Sequence, residues 1–130
     1  MKSFPAICAS LGAPVKNQRW SWCALAPDGD RAIFTLWQDC FVNKRYPVTH
    51  KEDRDTNGNP RRQGWVEMQR IAEHCLSNPE AEILGVLCKA KDENADPRQR
   101  EWVDDKELLV LKFERSEDGE IWAEIKGRKL

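Results

Sequence analysis

The pattern of apolar and polar positions in the first third of the chain predicts a β-hairpin. Residues 19–25 (RWSWCAL) and 31–38 (RAIFTLWQ) are two apolar, aromatic-rich runs, as expected of strands. The intervening PDGD supplies a proline, a side-chain acceptor and a glycine, which are the residues that a tight turn uses. Alternation places Trp20 and Trp22 on one face of the first strand. Because bulky residues occupy both faces of the hairpin, either both faces are covered or one is an exposed aromatic site.

Two helices are predicted from the spacing of apolar residues. The clearer one covers residues 64–77 (GWVEMQRIAEHCLS), where apolar residues fall on one side and polar residues on the other. It ends before Pro79, because proline cannot continue a helix and the residue before it prefers an extended backbone. A shorter helix covers residues 4–11 and ends at Gly12.

The rest of the chain predicts further strands. Residues 82–90 form an apolar strand, in which Gly85 indicates a bulge, a barrel corner or the close approach of a ligand. Residues 108–115 and 120–126 form a second hairpin around SEDGE, and EWVDD is a candidate short strand. The long polar segment 43–63 contains an Asn-Gly turn that could join two short arms, with YPVTH as one of them.

Strands in hairpins, with the main helix inserted mid-chain, predict an α+β fold in a single domain of residues 1–130. We expect a curved, mostly antiparallel sheet of five or six strands, or a pseudo-barrel, with two helices. Hydrophobic residues make up 40% of the chain and charged residues 33%, a composition typical of soluble domains. No apolar run reaches the length of a membrane span, so no membrane partner is expected.

The cysteines and known motifs exclude several classes of chemistry. The five cysteines are odd in number and none forms CxxC, which indicates free thiols in a reducing compartment such as the cytoplasm. His50 and His74 are not spaced as zinc ligands with any cysteine. The chain has no P-loop, GxGxxG, GxSxG or HExxH. The sequence therefore predicts no catalytic residue, no metal and no cofactor.

Tryptophan is the anomaly in the composition. Six tryptophans stand beside one tyrosine and four phenylalanines, although a buried indole needs a partner for its N–H. A flat ring is held by aromatic stacking and by a few hydrogen bonds at its edge. Residues 17–39 contain such a set: Trp20, Trp22 and Trp37 for stacking, Asn17 as an amide and Asp39 as an acceptor. These five residues are the predicted base pocket, although any of the tryptophans could instead belong to the core.

Positive charge is concentrated in one segment. The net charge is −1, but residues 43–62 hold six Lys or Arg and three Asp or Glu. A basic segment can bind phosphate even on a neutral domain, because the electrostatic potential near the segment, rather than the net charge, governs the attraction. The alternative is that the segment is a solvated loop with no binding role. The predicted contacts to a nucleic-acid backbone are Arg19, Lys44, Arg45, Arg61 and Arg62.

The order of these elements resembles the PUA-like superfamily, and within it the EVE and ASCH type of domain. The resemblance rests on NQRWSWCAL, AIFTLWQD, the helix, and ILGVLCKAKDENADPRQREWV before a closing hairpin, over roughly residues 12–126. It implies a small pseudo-barrel that recognises RNA or a modified base in DNA, with Trp20, Trp22 and Trp37 as pocket positions. A nuclease or another protein is implied as a separate partner. The basic segment and the slightly acidic net charge depart from the pattern.

Two other functions remain open on the sequence alone. Trp and Arg dominate protein–protein hot spots, so the same residues would serve a small bacterial or phage accessory protein. A cysteine-dependent enzyme is the third alternative, with Cys40 and His50 as an imaginable pair and Cys23 as another thiol. The predicted function is a nucleic-acid-binding module that recognises a modified or flipped base, without catalysis of its own.

Overall fold

The computed structural model describes residues 2–18, 21–49, 63–94 and 99–129. The helices are α1 (Phe4–Ser10) and α2 (Gln63–Ser77), with one 3₁₀ turn, η1, at Gln38–Cys40. The strands are β1 (Cys23–Leu25), β2 (Arg31–Trp37), β3 (Arg45–Pro47), β4 (Glu82–Ala90), β5 (Arg100–Val103), β6 (Leu108–Arg115) and β7 (Ile121–Lys129). The structure thus confirms an α+β fold with two helices.

The seven strands form one strongly curled, mixed but mostly antiparallel sheet, a half-barrel in shape. Its order is β1-β2-β4-β6-β7-β3, and β5 pairs with β4 off this path. The pairing of β2 with β4 is parallel, while every other pairing among the described strands is antiparallel. A parallel pair needs a long crossover connection, and the segment that contains β3 and α2 supplies it. The arrangement is compatible with a pseudo-barrel.

Both faces of strand β2 are covered. This agrees with one of the two alternatives that the sequence left open for a hairpin with bulky residues on both faces. On one face, Phe34 and Leu36 belong to a core that α2 closes with Trp65 and Ile71. This face is called the α2 face below. On the opposite α1 face, Ile33 packs with residues of β4, β5 and α1, including Phe4, Ile7, Leu84, Val86 and Val103.

Gly85 of β4 lies on the α2 face, where the neighbouring side chains leave no room for a Cβ atom. A Cβ atom at this position would lie 2.4 Å from Leu36 Cδ1 and 3.1 Å from Leu111 Cδ1. Leu36 comes from β2 and Leu111 from β6, the two strands that flank β4. The side chains of these two neighbouring strands, rather than one of the three roles that the sequence suggested, therefore account for the glycine at this position.

The first hairpin forms as predicted, but its first strand is shorter. β1 begins at Cys23 and not at residue 19, although the carbonyl of the preceding Trp22 still accepts the Thr35 N–H of β2 at 3.0 Å. Asn17 and Ser21, which precede this strand, are joined by two hydrogen bonds. The Asn17 N–H donates to Ser21 Oγ at 3.0 Å, and the Ser21 N–H donates to the Asn17 carbonyl at 2.9 Å. Cys23 is buried in the α2-face core and Trp22 packs against the same core, although alternation along a continued strand would place the two side chains on opposite faces.

The YPVTH segment pairs at long range. Its strand β3 is antiparallel to β7, with Tyr46 opposite Ala123. Thr49 continues the contact, because its Oγ1 accepts the Ile121 N–H at 3.0 Å and also bonds to the buried carboxylate of Glu120. The Asn-Gly turn proposed within residues 43–63 lies outside the described residues.

Candidate functional site

A groove of about 1140 Å³ opens at one end of the α2 face. Its apolar lining residues are Phe41, Leu87, Leu109 and Ile125. The first three belong to the α2-face core or pack against it, while Ile125 is 37% exposed. Four separate parts of the chain meet here, so the groove exists only after the sheet has formed.

The polar wall of the groove alternates in charge. Gln38 and Asn43 supply neutral amides, and the charged lining residues are Lys44, Arg45, Asp104, Glu107, Glu114, Glu124 and Arg128. Most of this charge is compensated: Arg45 pairs with Glu114 at 3.7 Å, Arg128 with Glu107 at 3.3 Å, and Glu124 with Lys126 outside the groove at 3.2 Å. Within the described part of the chain, Lys44 has no carboxylate at ion-pair distance.

Lys44 is held at the groove by a two-residue turn with an unusual backbone. Asn43 and Lys44 have φ values of 51° and 67°, in the left-handed region. Val42 and Arg45 flank the turn and exchange both backbone hydrogen bonds, at 2.8 and 3.0 Å. This geometry is that of a hairpin turn that favours Asn followed by Gly. A lysine at the second position costs conformational energy that a glycine would not.

Replacing Lys44 by glycine is expected to raise the free energy of unfolding by about 0.5–1 kcal/mol. Urea unfolding measures this change, and Lys44→Ala is the matched control because it removes the side chain but keeps the left-handed strain. A Lys44→Gly protein no more stable than Lys44→Ala would contradict the account of the turn.

The structure does not bring the predicted base-pocket residues together around this groove. Trp22 is half-buried against the α2-face core. Trp37 is also half-buried and packs on both cores. Its backbone N–H donates to Tyr46 Oη at 3.1 Å, and the guanidinium carbon of Arg100 lies 5.7 Å from its ring centroid.

The remaining predicted residues are distributed as follows. Asn17 is half-buried in the loop that Ser21 closes, and Asp39 is exposed on η1, beside the groove residue Gln38. Of the predicted backbone contacts, Lys44 and Arg45 line the groove. Those at positions 19, 61 and 62, together with the tryptophan at position 20, lie outside the described residues.

Four of the five cysteines are buried, which bears on the alternative of a thiol enzyme. Burial raises the pKa of the Cys8 and Cys75 thiols to about 12. Burial also raises the pKa of Cys88, and that of Cys23 well above its usual value, where the nearby Glu67 carboxylate adds to the effect. A protonated, enclosed thiol is a poor nucleophile. Cys40 is partly exposed, and its imagined partner His50 lies outside the described residues.

In the native protein at pH 8 we expect a water-soluble disulfide reagent to modify Cys40 rapidly and the other four cysteines only after unfolding. The rate of this reaction depends on the solvent exposure of the thiol and on the fraction present as thiolate. Of the five cysteines, Cys40 alone is partly exposed. The number of fast thiols per chain is the measurement. Cys40→Ser should remove the fast phase, and a fast phase that survives in that variant would contradict the burial of the other thiols.

Two absences apply to the described ranges alone. Residues 2–18, 21–49, 63–94 and 99–129 contain no group of three or more His, Cys, Asp or Glu side chains placed to hold a metal ion. The same ranges contain no helix long and apolar enough to cross a bilayer.

The apolar groove residues were missed by the sequence analysis. Leu87 and Leu109 appear there only as members of strands, and Phe41 and Ile125 carry no motif. No local signal could have found them, because their proximity depends on how η1, β4, β6 and β7 meet. A scan against protein-family models found no match for the chain, and neither did searches of curated proteins and of solved structures.

Proposed function

We propose that the protein is a nucleic-acid-binding module that takes an unstacked or modified base into the groove, without catalysis of its own. The groove itself is the observation that carries this proposal. At about 1140 Å³ it is large enough for a base and its sugar. Its apolar residues can cover the faces of a ring, and the amides of Gln38 and Asn43 can meet the edge.

The charges of the rim suggest where the strand would run. The groove lining holds four carboxylates (Asp104, Glu107, Glu114 and Glu124) and three cations (Lys44, Arg45 and Arg128), so its interior does not favour a phosphate. Of the three cations that line the groove, Lys44 alone has no carboxylate at ion-pair distance within the described residues, so a phosphate would be favoured there. The basic segment at 43–62 continues from this point along the chain, which supports a backbone path past the β3 turn.

We further propose that the half-barrel is a PUA-like pseudo-barrel. The curled sheet, the two helices and the glycine-bearing strand β4 support this assignment. In this proposal the base lies in the groove, with Phe41 as its aromatic neighbour, while Asp39 lies beside the entrance, next to the lining residue Gln38. A separate nuclease or another protein would act on the bound nucleic acid.

The experiment is a titration of labelled single-stranded and duplex oligonucleotides, with unmodified and 5-methylated cytosine, followed by fluorescence anisotropy at low and high salt. We expect binding that weakens as salt rises. Lys44→Gln should weaken it about fivefold, the value of one exposed charge contact. Ile125→Glu, which places a charge on the groove floor, should weaken it further.

Lys89→Gln is the matched control, because Lys89 is exposed on β4, pairs with Glu101 at 3.9 Å and does not line the groove. It should leave the affinity unchanged. Absence of binding to every oligonucleotide at low salt would reject the proposal. Equal losses in Lys44→Gln and Lys89→Gln would reject the groove as the site.

A protein partner is the second candidate, and the exposed apolar residues at the groove favour it. Val42 is 50% exposed beside the Lys44 turn, and Ile125 is 37% exposed on the floor. The alternating rim charges would suit a peptide with charges of both signs. Loss of self-association or of a co-purifying protein in Ile125→Glu, with no salt-sensitive oligonucleotide binding, would favour this candidate over the first.

A further inference from the structure

Arg100, the first residue of β5, carries a cation into the α1 face of the sheet. Its guanidinium carbon lies 4.6 Å from the centroid of the Phe4 ring and 5.7 Å from that of Trp37. Its Nη2 donates to Thr35 Oγ1 at 2.7 Å. Thr35 and Trp37 share one face of β2, so three side chains from α1 and β2 fix the guanidinium in position.

The positive charge of Arg100 is not balanced by its described neighbours. Within the described part of the chain, no carboxylate is at ion-pair distance from the guanidinium, and its buried Nε has no hydrogen-bond partner. The titratable side chains beside it are the thiols of Cys8 and Cys88, whose pKa it lowers against the larger effect of burial. An arginine that is partly withdrawn from water without a counter-charge costs free energy. This cost suggests that the position is kept for an anion.

We propose that Arg100, with Thr35 and Trp37, forms a binding site for a phosphate-class oxoanion. The planar guanidinium presents several N–H donors in a fork that matches two oxygens of a tetrahedral anion. The rings of Phe4 and Trp37 both lie within cation–π distance of the guanidinium. Its Nε is enclosed and one Nη2 N–H donates to Thr35, so the remaining Nη N–H groups are the donors offered to the ligand. The site lies on the α1 face, whereas the groove lies on the α2 face, so it stands whether or not the groove binds nucleic acid.

The test is a titration of the whole protein with inorganic phosphate at constant ionic strength, followed by NMR of the Arg100 Nε–H and the Trp37 indole N–H. We expect both signals to shift saturably below about 50 mM phosphate, and chloride at the same ionic strength to leave them in place. Absence of a saturable shift would overturn the proposal. Because this measurement uses the unaltered chain, it does not depend on any variant folding.

Two variants locate the site. Arg100→Lys keeps the charge but loses the fork, and we expect phosphate affinity to fall at least about tenfold. Lys89→Gln removes an exposed cation from the neighbouring strand and should leave the affinity unchanged. If Arg100→Lys does not fold, Thr35→Val, which removes the hydroxyl that Nη2 contacts, should weaken phosphate binding in its place. Unchanged affinity in both Arg100→Lys and Thr35→Val would overturn the assignment.

Asp96→Asn tests whether the carboxylate of Asp96, which lies outside the described ranges, balances the charge of Arg100. We expect it to leave phosphate affinity unchanged. If phosphate binds the variant about tenfold more tightly, the counter-ion belongs to the protein and the proposal is wrong.

Oligonucleotides with and without a 5′-terminal phosphate then distinguish two sources of the anion. A shift of the Arg100 signal by the phosphorylated strand alone indicates the end of a nucleic-acid strand. A shift by free phosphate alone indicates a small solute.

Discussion

The Gly85→Ala variant is expected to lose about 1–3 kcal/mol of the free energy of unfolding, the usual cost of overpacking a core. The added Cβ would lie 2.4 Å from Leu36 Cδ1, 2.9 Å from Leu36 Cγ and 3.1 Å from Leu111 Cδ1. Leu36 is fully buried, so it can move aside only by displacing other core residues. The larger Gly85→Val should cost more for the same reason.

Urea unfolding measures this loss, and Gly127→Ala provides the matched control. Gly127 also lies within a strand, β7, but a Cβ there would meet nothing within 4 Å. Since alanine restricts the unfolded chain more than glycine does, the control should be unchanged or about 0.5 kcal/mol more stable. A Gly85→Ala protein as stable as Gly127→Ala would show that β2, β4 and β6 do not approach as closely as described.

The Glu67→Met variant is expected to be more stable than the wild type by about 1–3 kcal/mol, against the usual direction of core substitutions. Glu67 is only 5% exposed on α2, and within the described residues its Oε1 has no hydrogen-bond partner. Methionine has a similar length and helix preference but no polar oxygen to desolvate. The stabilisation should appear as a higher urea midpoint with an unchanged slope.

Gln69→Met, a polar-to-methionine change at a half-buried position of the same helix, is the control for Glu67. We expect it to stay within about 0.5 kcal/mol of the wild type. If Glu67→Met is less stable than Gln69→Met, the Glu67 carboxylate has a favourable interaction that the described contacts do not include.

Most elements of the fold were predictable from local pattern. The helix at Gln63–Ser77 and the strand at Glu82–Ala90 are long segments of one periodicity, and each differs from its predicted bounds by one residue at most. Apolar residues on both faces of β2 correctly indicated that other residues could pack on both faces of this strand. The start of β1 was misplaced because aromatic residues alone suggested a strand at 19–22. Pairing partners, rather than propensity, decide where such a strand begins.

The long-range contacts were not predictable in the same way. The parallel pairing of β2 with β4 and the pairing of β3 with β7 join segments that are distant in the sequence. Arg100 lies 65 residues from Thr35, and nothing near it in the sequence indicates a partner. Lys44 and Arg45 were selected for their charge, but their position beside an apolar groove depends on where β3 meets the sheet.

Amide hydrogen exchange with and without a bound oligonucleotide tests the central claim most directly, namely that the groove at the end of the α2 face is the binding surface. We expect binding to slow exchange in the segment from Phe41 to Lys44, around Leu109, and at Ile125, the parts that line the groove. The amides of α1 should exchange as in the free protein. Protection confined to α1 and β5, or binding with no change at the groove, would contradict the account.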